Sequence, residues 1–240
     1  SAPCLRTMIA RRRSEKPMAH VEIPRETLTM RLPDASVTLM GDLALPPAPL
    51  GLVVFAHGSG SSRLSPRNRQ VAQDLVRAGL GTLLFDLLTP QEEQLDRRTG
   101  ELRFDIALLG RRLVAVADWL ELQRSTGMLP LGCFGASTGA AAALVAAAVR
   151  PGRVRAVVSR GGRPDLAGGY LSQVRAPTLL LVGGRDASVI DLNERALLFL
   201  GADEKRLEIV PGAGHLFEEP GTMEQVSAHA RQWFVKYLAS

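Results

Sequence analysis

The chain has 240 residues, 46% hydrophobic and 22% charged, and its 29 Lys and Arg against 24 Asp and Glu give a net charge of +5. That length and apolar content fit one domain with a full core, and no apolar run approaches the roughly 20 residues that a membrane-spanning helix needs. The charge does not mark a nucleic-acid-binding domain, because Arg6, Arg11, Arg12, Arg13 and Lys16 face Glu15 alone within the first 16 residues and the remainder is nearly balanced.

Residues 1–24 read as a basic, flexible leader and residues 25–240 as a single domain. The leader lacks the apolar core of a secretory signal. Two cysteines, Cys4 and Cys133, make no disulfide framework, so a soluble, cytoplasmic protein is expected, with a homo-oligomer left open. Polar and apolar residues alternate over 27–32, Pro33-Asp34-Ala35 turns the chain, and residues 36–45 continue as the second strand of an antiparallel hairpin with one wet face. Gly41 is a candidate bulge there. The cluster Pro46-Pro47-Ala48-Pro49 ends that pattern. Beyond it come short continuous apolar runs at 52–55, 82–85, 131–134, 156–159, 178–182 and 207–210, the mark of parallel strands buried on both faces.

Helical segments fall between most of these runs. Ser65-Pro66 is an N-cap and first-turn pair for a helix through Ala78, which Gly79 ends. Residues 105–123 put Ile106, Leu109, Leu113, Val116 and Leu120 on one face. Residues 138–149 are almost all alanine or apolar and predict a helix packed tightly on the sheet. A further helix is expected over 192–200, and Val226, Ala230, Trp233, Phe234 and Tyr237 give the last one an apolar stripe. The stretch 87–103 is polar and reads as irregular, either a pocket rim or a flexible surface loop. Together these elements predict an α/β fold: a mostly parallel eight-stranded sheet with an N-terminal antiparallel hairpin, helices on both faces and no large lid.

In such a sheet, ligands bind beyond the carboxyl ends of the parallel strands. The run 129–134 feeds Gly135-Ala136-Ser137-Thr138-Gly139 and opens into a helix, the strand-turn-helix context in which a G-x-S-x-G serine is held on an exposed elbow. Other strand ends carry Ala56-His57-Gly58-Ser59-Gly60, Gly183-Gly184-Arg185-Asp186 and Gly212-Ala213-Gly214-His215. A serine hydroxyl needs a base to become nucleophilic, and His215 can serve near neutrality. Its other ring nitrogen needs an acceptor, for which Asp186 is placed; Asp86 is the rival acid. Oxyanion donors are expected from the backbone amides of Ser59 and Thr138. His57 is read as shaping its turn, and Arg63 and Arg160, with Arg163 and Arg185 nearby, as candidates for holding an acidic substrate or for pairing with local carboxylates.

The set His57-Gly58-Ser59-Gly60, Gly135-Ala136-Ser137-Thr138-Gly139, Gly184-Arg185-Asp186 and Gly214-His215 resembles the α/β-hydrolase superfamily over residues 27–238. Within it, His57-Gly58-Ser59-Gly60-Ser61-Ser62-Arg63 and Phe85-Asp86-Leu87-Leu88-Thr89 resemble dienelactone-hydrolase-like proteins. That family has cysteine at the nucleophile position, whereas this chain has Ser137, with Cys133 four residues earlier. The resemblance implies a serine hydrolase of small esters, thioesters or lactones working through an acyl-enzyme, with no metal or organic cofactor; the charge distribution and the lack of a long apolar run lead us to expect neither nucleic acid nor membrane as partner. It also implies relatives that are sometimes fused to a phosphoribosyltransferase domain. A non-catalytic binding or scaffold protein on the same fold, or an acyltransferase or peptidase with the same triad, is the alternative.

Overall fold

A computed structural model describes residues 23–32 and 37–239. The basic leader up to residue 22 and the turn at 33–36 lie outside the described residues. The amino-terminal alternation forms β1 (Glu26–Leu32) and β2 (Val37–Ala44), paired antiparallel from Glu26 opposite Leu43 to Leu32 opposite Val37. Met30 and Leu32 of β1 point into the core while Thr29 and Arg31 face out, as a period of two requires.

Gly41 is not a bulge. It sits in regular register between Leu28 and Phe85. Its smallness serves packing instead, since a Cβ there would lie 2.9 Å from Leu83 Cδ1 and 3.0 Å from Met30 Cε.

The apolar runs form β3 (Leu52–Ala56), β4 (Gly81–Phe85), β5 (Leu131–Ala136), β6 (Val154–Arg160), β7 (Thr178–Gly183) and β8 (Lys205–Val210). The eight strands lie in the order β1-β2-β4-β3-β5-β6-β7-β8, parallel from β4 onward. Strand order reverses between β3 and β5, so the connections leaving their carboxyl ends go to opposite faces, the place where sheets of this kind bind ligands.

Two helices cover one face: α1 (Pro66–Arg77) and α6 (Thr222–Leu238), whose Val71, Leu75, Val226 and Phe234 join Phe55 and Phe134 of the sheet in one core. The other face carries α3 (Ile106–Glu121), α4 (Thr138–Val149) and α5 (Ala187–Phe199), where Leu113, Val116 and Leu144 pack with Val54, Cys133 and Val157. Alanines let α4 lie close to the sheet, and every residue from Thr138 to Ala147 is buried.

The stretch 87–103 is ordered, which corrects the irregular reading. It contains α2 (Pro90–Thr99), begun by a capping box in which Thr89 Oγ1 accepts from the Glu92 amide at 3.2 Å and Glu92 accepts from the Thr89 amide at 2.8 Å. Gly100, in the left-handed region, ends it. The helix has no apolar stripe because a buried carboxylate anchors it: Asp96 accepts from the Arg103 amide at 3.0 Å and from Arg103 Nε at 2.7 Å. Two smaller differences remain. Helix α5 starts at Ala187, directly after Asp186, and a kinked 3-10 segment, Pro164–Gln173, follows β6.

Candidate active site

Ser137 stands between β5 and α4 with φ 51° and ψ −121°, a conformation that costs a non-glycine residue about 1–3 kcal/mol. The surroundings enforce it. Its amide donates to the Arg160 carbonyl at 3.2 Å, and its carbonyl accepts from the Ala140 and Arg163 amides at 3.1 Å each. Two glycines allow the strand, the turn and the helix to approach. A Cβ at Gly135 would lie 2.4 Å from the Ala140 Cα, and one at Gly139 would lie 2.2 Å from the Ala56 carbonyl oxygen.

The turn after β3 meets this elbow directly. A Cβ on Gly58 would lie 2.9 Å from Ser137 Cβ, and the hydroxyls of Ser59 and Thr138 share a hydrogen bond at 3.1 Å across 79 positions of sequence. Among the described residues, neither the Ser59 nor the Thr138 amide donates a hydrogen bond. Two unengaged N–H groups beside a serine hydroxyl suit a developing oxyanion.

The loop after β8 brings His215 to Asp186. His215 Nδ1 donates to Asp186 Oδ2 at 2.6 Å, which leaves Nε2 free to accept a proton. Asp186 begins α5 but makes no side-chain cap there, because its carboxylate turns to the histidine. Gly161, next to the carbonyl that holds Ser137, lies against the same loop, since a Cβ there would be 3.1 Å from the His215 carbonyl oxygen and 3.7 Å from its Cε1. Among the described residues, no hydrogen bond joins His215 to the Ser137 hydroxyl.

Asp86, the rival acid, is engaged elsewhere. It accepts from the Arg63 amide at 2.8 Å and pairs with the Arg63 guanidinium. Arg63 Nε also lies 3.4 Å from Asp42, so this arginine already faces two carboxylates. Arg160 differs. It is buried, its Nη2 lies 3.4 Å from Asn68 Oδ1, and its guanidinium sits 5.9 Å from the centre of the Phe217 ring. Among the described residues it pairs with no carboxylate, and burial pushes its pKa down to about 10.

His57 is a fixed neutral side chain. Nδ1 donates to the Gly58 carbonyl at 3.0 Å, Nε2 accepts from the Leu87 amide at 3.1 Å, and burial lowers its pKa. It therefore ties the turn after β3 to the end of β4. Cys133 is buried within β5, where burial pushes the thiol up to about 12, far from a reactive thiolate.

A cleft of about 640 Å³ adjoins the turn after β3 through His57 and Ser61. Met40, Leu64, Leu88 and Pro90 contribute its apolar lining, and Arg63, Asp86, Glu93 and Arg97 its charges. The stretch 87–103 thus supplies part of a rim. Among the described residues there is no cluster of three or more His, Cys, Asp or Glu suited to a metal, and no helix is long and apolar enough to cross a membrane.

A serine on a strand-to-helix elbow, with an Asp–His pair at later strand ends of this sheet, defines an α/β-hydrolase. Residues 39–237 match the dienelactone hydrolase family, and the chain belongs to that family. It is 55% identical to a dienelactone hydrolase from Anabaena variabilis, whose structure covers 90% of this chain and 99% of its own length with a TM-score of 0.87. Two Mycobacterium tuberculosis proteins, from strains CDC 1551 and H37Rv, share 59% identity over 202 residues, 84% of this chain. Both bear the name "Putative phosphoribosyl transferase", and the chain spans only 44% of their length. Est1E from Butyrivibrio proteoclasticus shares the fold alone, at 14% identity and TM-score 0.73, over 89% of this chain and 99% of that one.

Proposed function

We propose that the chain is a serine esterase that cleaves small esters, thioesters or lactones through an acyl-enzyme on Ser137. The observation that carries this reading is the 2.6 Å bond from His215 Nδ1 to Asp186, which orients an imidazole in the same loop cluster as the elbow serine. On substrate binding, His215 Nε2 closes on Ser137 Oγ and takes its proton as the oxygen attacks the carbonyl carbon. The oxyanion accepts the Ser59 and Thr138 N–H groups, which are otherwise unengaged. The imidazolium, stabilised by Asp186, returns its proton to the leaving alkoxide or thiolate. Water then repeats the sequence on the acyl-enzyme, giving a carboxylic acid and the free serine.

Serine in place of cysteine suits this scheme, since the chain's buried cysteine, Cys133, lies inside a strand. We assign the scissile group to the carboxyl ends of β3 and β5 and its flanking portion to the 640 Å³ cleft. Of the two arginines considered for an acidic substrate, Arg63 lines that cleft but already faces Asp42 and Asp86, and Arg160 is buried against Phe217 and Asn68 away from its lining, so neither is assigned to the substrate. The name of the longer mycobacterial proteins is no guide to chemistry at Ser137, since more than half of their length lies outside the match.

A panel of short and long 4-nitrophenyl esters, thioesters and lactones tests the reading. Hydrolysis of at least one class, abolished in Ser137→Ala, is expected. Hydrolysis that survives that substitution contradicts it.

A further inference from the structure

The loop after β8 carries its imidazole near solvent. The His215 side chain is 41% exposed, against 13% for its partner Asp186, and it follows Gly212-Ala213-Gly214. The residues that come after it supply anchors on three sides. Phe217 is fully buried beneath the Arg160 guanidinium, in a left-handed conformation at φ 54°. Glu218 pairs with Arg67 of α1 at 3.1 Å. Glu219 reaches back along its own loop.

We propose that Glu219, together with Arg185, is a positioning residue that sets the acid loop against the base loop. The Glu219 carboxylate makes two contacts: Oε2 accepts from the Gly214 amide at 3.0 Å, and Oε1 pairs with Arg185 Nη2. Arg185 immediately precedes Asp186, and Gly214 immediately precedes His215. One carboxylate thus grips the neighbour of the acid and the neighbour of the base, across 34 positions of sequence. The backbone supports the same registration, with the Arg185 amide donating to the Ala213 carbonyl at 2.9 Å and the Gly184 amide to Val210 at 2.9 Å.

The fit leaves little slack, since a Cβ at Gly214 would lie only 3.2 Å from Glu219 Oε1. The hydrogen bond from the Gly214 amide holds the Glu219 carboxyl below the usual range, so it is ionised and able to accept both bonds. Arg185 is 60% exposed, and an ion pair so open to solvent contributes little to folding. Its consequence falls on geometry, where small displacements of a reacting group are expensive in rate.

This inference rests on reading Asp186 and His215 as acid and base, and the test separates the two claims. Purified parent, Glu219→Ala and Glu219→Gln are compared for 4-nitrophenyl acetate hydrolysis, for the rate of labelling by a fluorophosphonate, and for thermal midpoint. Glu219→Ala should lower kcat by about tenfold to a hundredfold, with KM and the thermal midpoint nearly unchanged and labelling slowed in step. Glu219→Gln keeps one amide oxygen for the Gly214 N–H but turns its NH2 toward Arg185, so it should recover part of the rate, well above Glu219→Ala and below the parent. A Glu219→Ala enzyme with parental kcat and labelling overturns the positioning role while leaving the esterase reading intact, and so does a Gln variant as slow as the Ala one. A parent protein that neither hydrolyses the ester nor takes the label overturns the esterase reading itself.

Discussion

Ser137 and His215 are held by different physics. At the elbow, Ser137 is fixed through backbone: its amide and carbonyl are bonded to Arg160, Ala140 and Arg163, and glycines at 135 and 139 let β5, α4 and the end of β3 touch. In the loop after β8, backbone bonds from Arg185 to Ala213 and from Phe217 to Gly214 are joined by side chains, with Asp186 on the His215 imidazole, Glu219 on Gly214 and Arg185, Glu218 on Arg67 and Phe217 in the core. Backbone sterics make the first region rigid and costly to alter. Charge pairs near solvent make the second cheap in stability yet sensitive in rate.

The sharpest separation should come from Asp186→Asn. An amide there cannot favour the correct tautomer and charge of His215, and an equivalent change in a well-studied serine protease lowers kcat about 10⁴-fold. Stability, by contrast, should fall by only about 1 kcal/mol in urea unfolding. A variant that loses both together would erase the distinction between the regions.

Gly139→Ala is the converse experiment. With its new methyl group 2.2 Å from the Ala56 carbonyl oxygen, there is no room without moving β3 or α4. A loss of about 3 kcal/mol or more is expected by urea denaturation, with activity falling alongside it. An unchanged midpoint would show that the elbow yields more easily than its backbone contacts imply.

His57 adds a smaller, pH-dependent effect on the turn beside the elbow. Burial lowers its folded pKa, so below about pH 6.5 the unfolded chain binds a proton that the folded protein refuses, and stability falls as acid is added. Unfolding free energies measured between about pH 7.5 and 5 should therefore decline, and His57→Gln should flatten part of that slope. The smallest effect expected is none at all. Cys133, with its thiol pushed up to about 12, should stay unmodified by iodoacetamide in the folded protein and react only in denaturant, as peptide mapping by mass spectrometry would show.

The same contrast explains what could be read without coordinates. The elbow was legible because its causes are local: an apolar run, two glycines spaced around a serine, and an alanine-rich helix. The hairpin was legible from its period of two. Helix α2 was not, because the usual sign of a helix is an apolar stripe; its Leu95 is 50% exposed, and capping plus Asp96–Arg103 take that role. The sequence Thr89-Pro90-Gln91-Glu92 did carry the signal, as a capping box with proline at the first helical position.

Long-range charge pairing was invisible in the sequence. Whether Arg63 faces substrate or carboxylate depends on Asp42, which only the pairing of β2 with β4 brings alongside Asp86. Glu219 gave no sign of its partners because the loops after β7 and β8 become neighbours only in the finished sheet.

The central claim is that Ser137 is the nucleophile, and covalent labelling tests it most directly. A fluorophosphonate probe added to the folded protein, followed by digestion and mass spectrometry, should place one adduct on the peptide carrying Ser137 and none in Ser137→Ala. Folded parent protein that takes no label, or Ser137→Ala labelled to the same extent, would contradict the account.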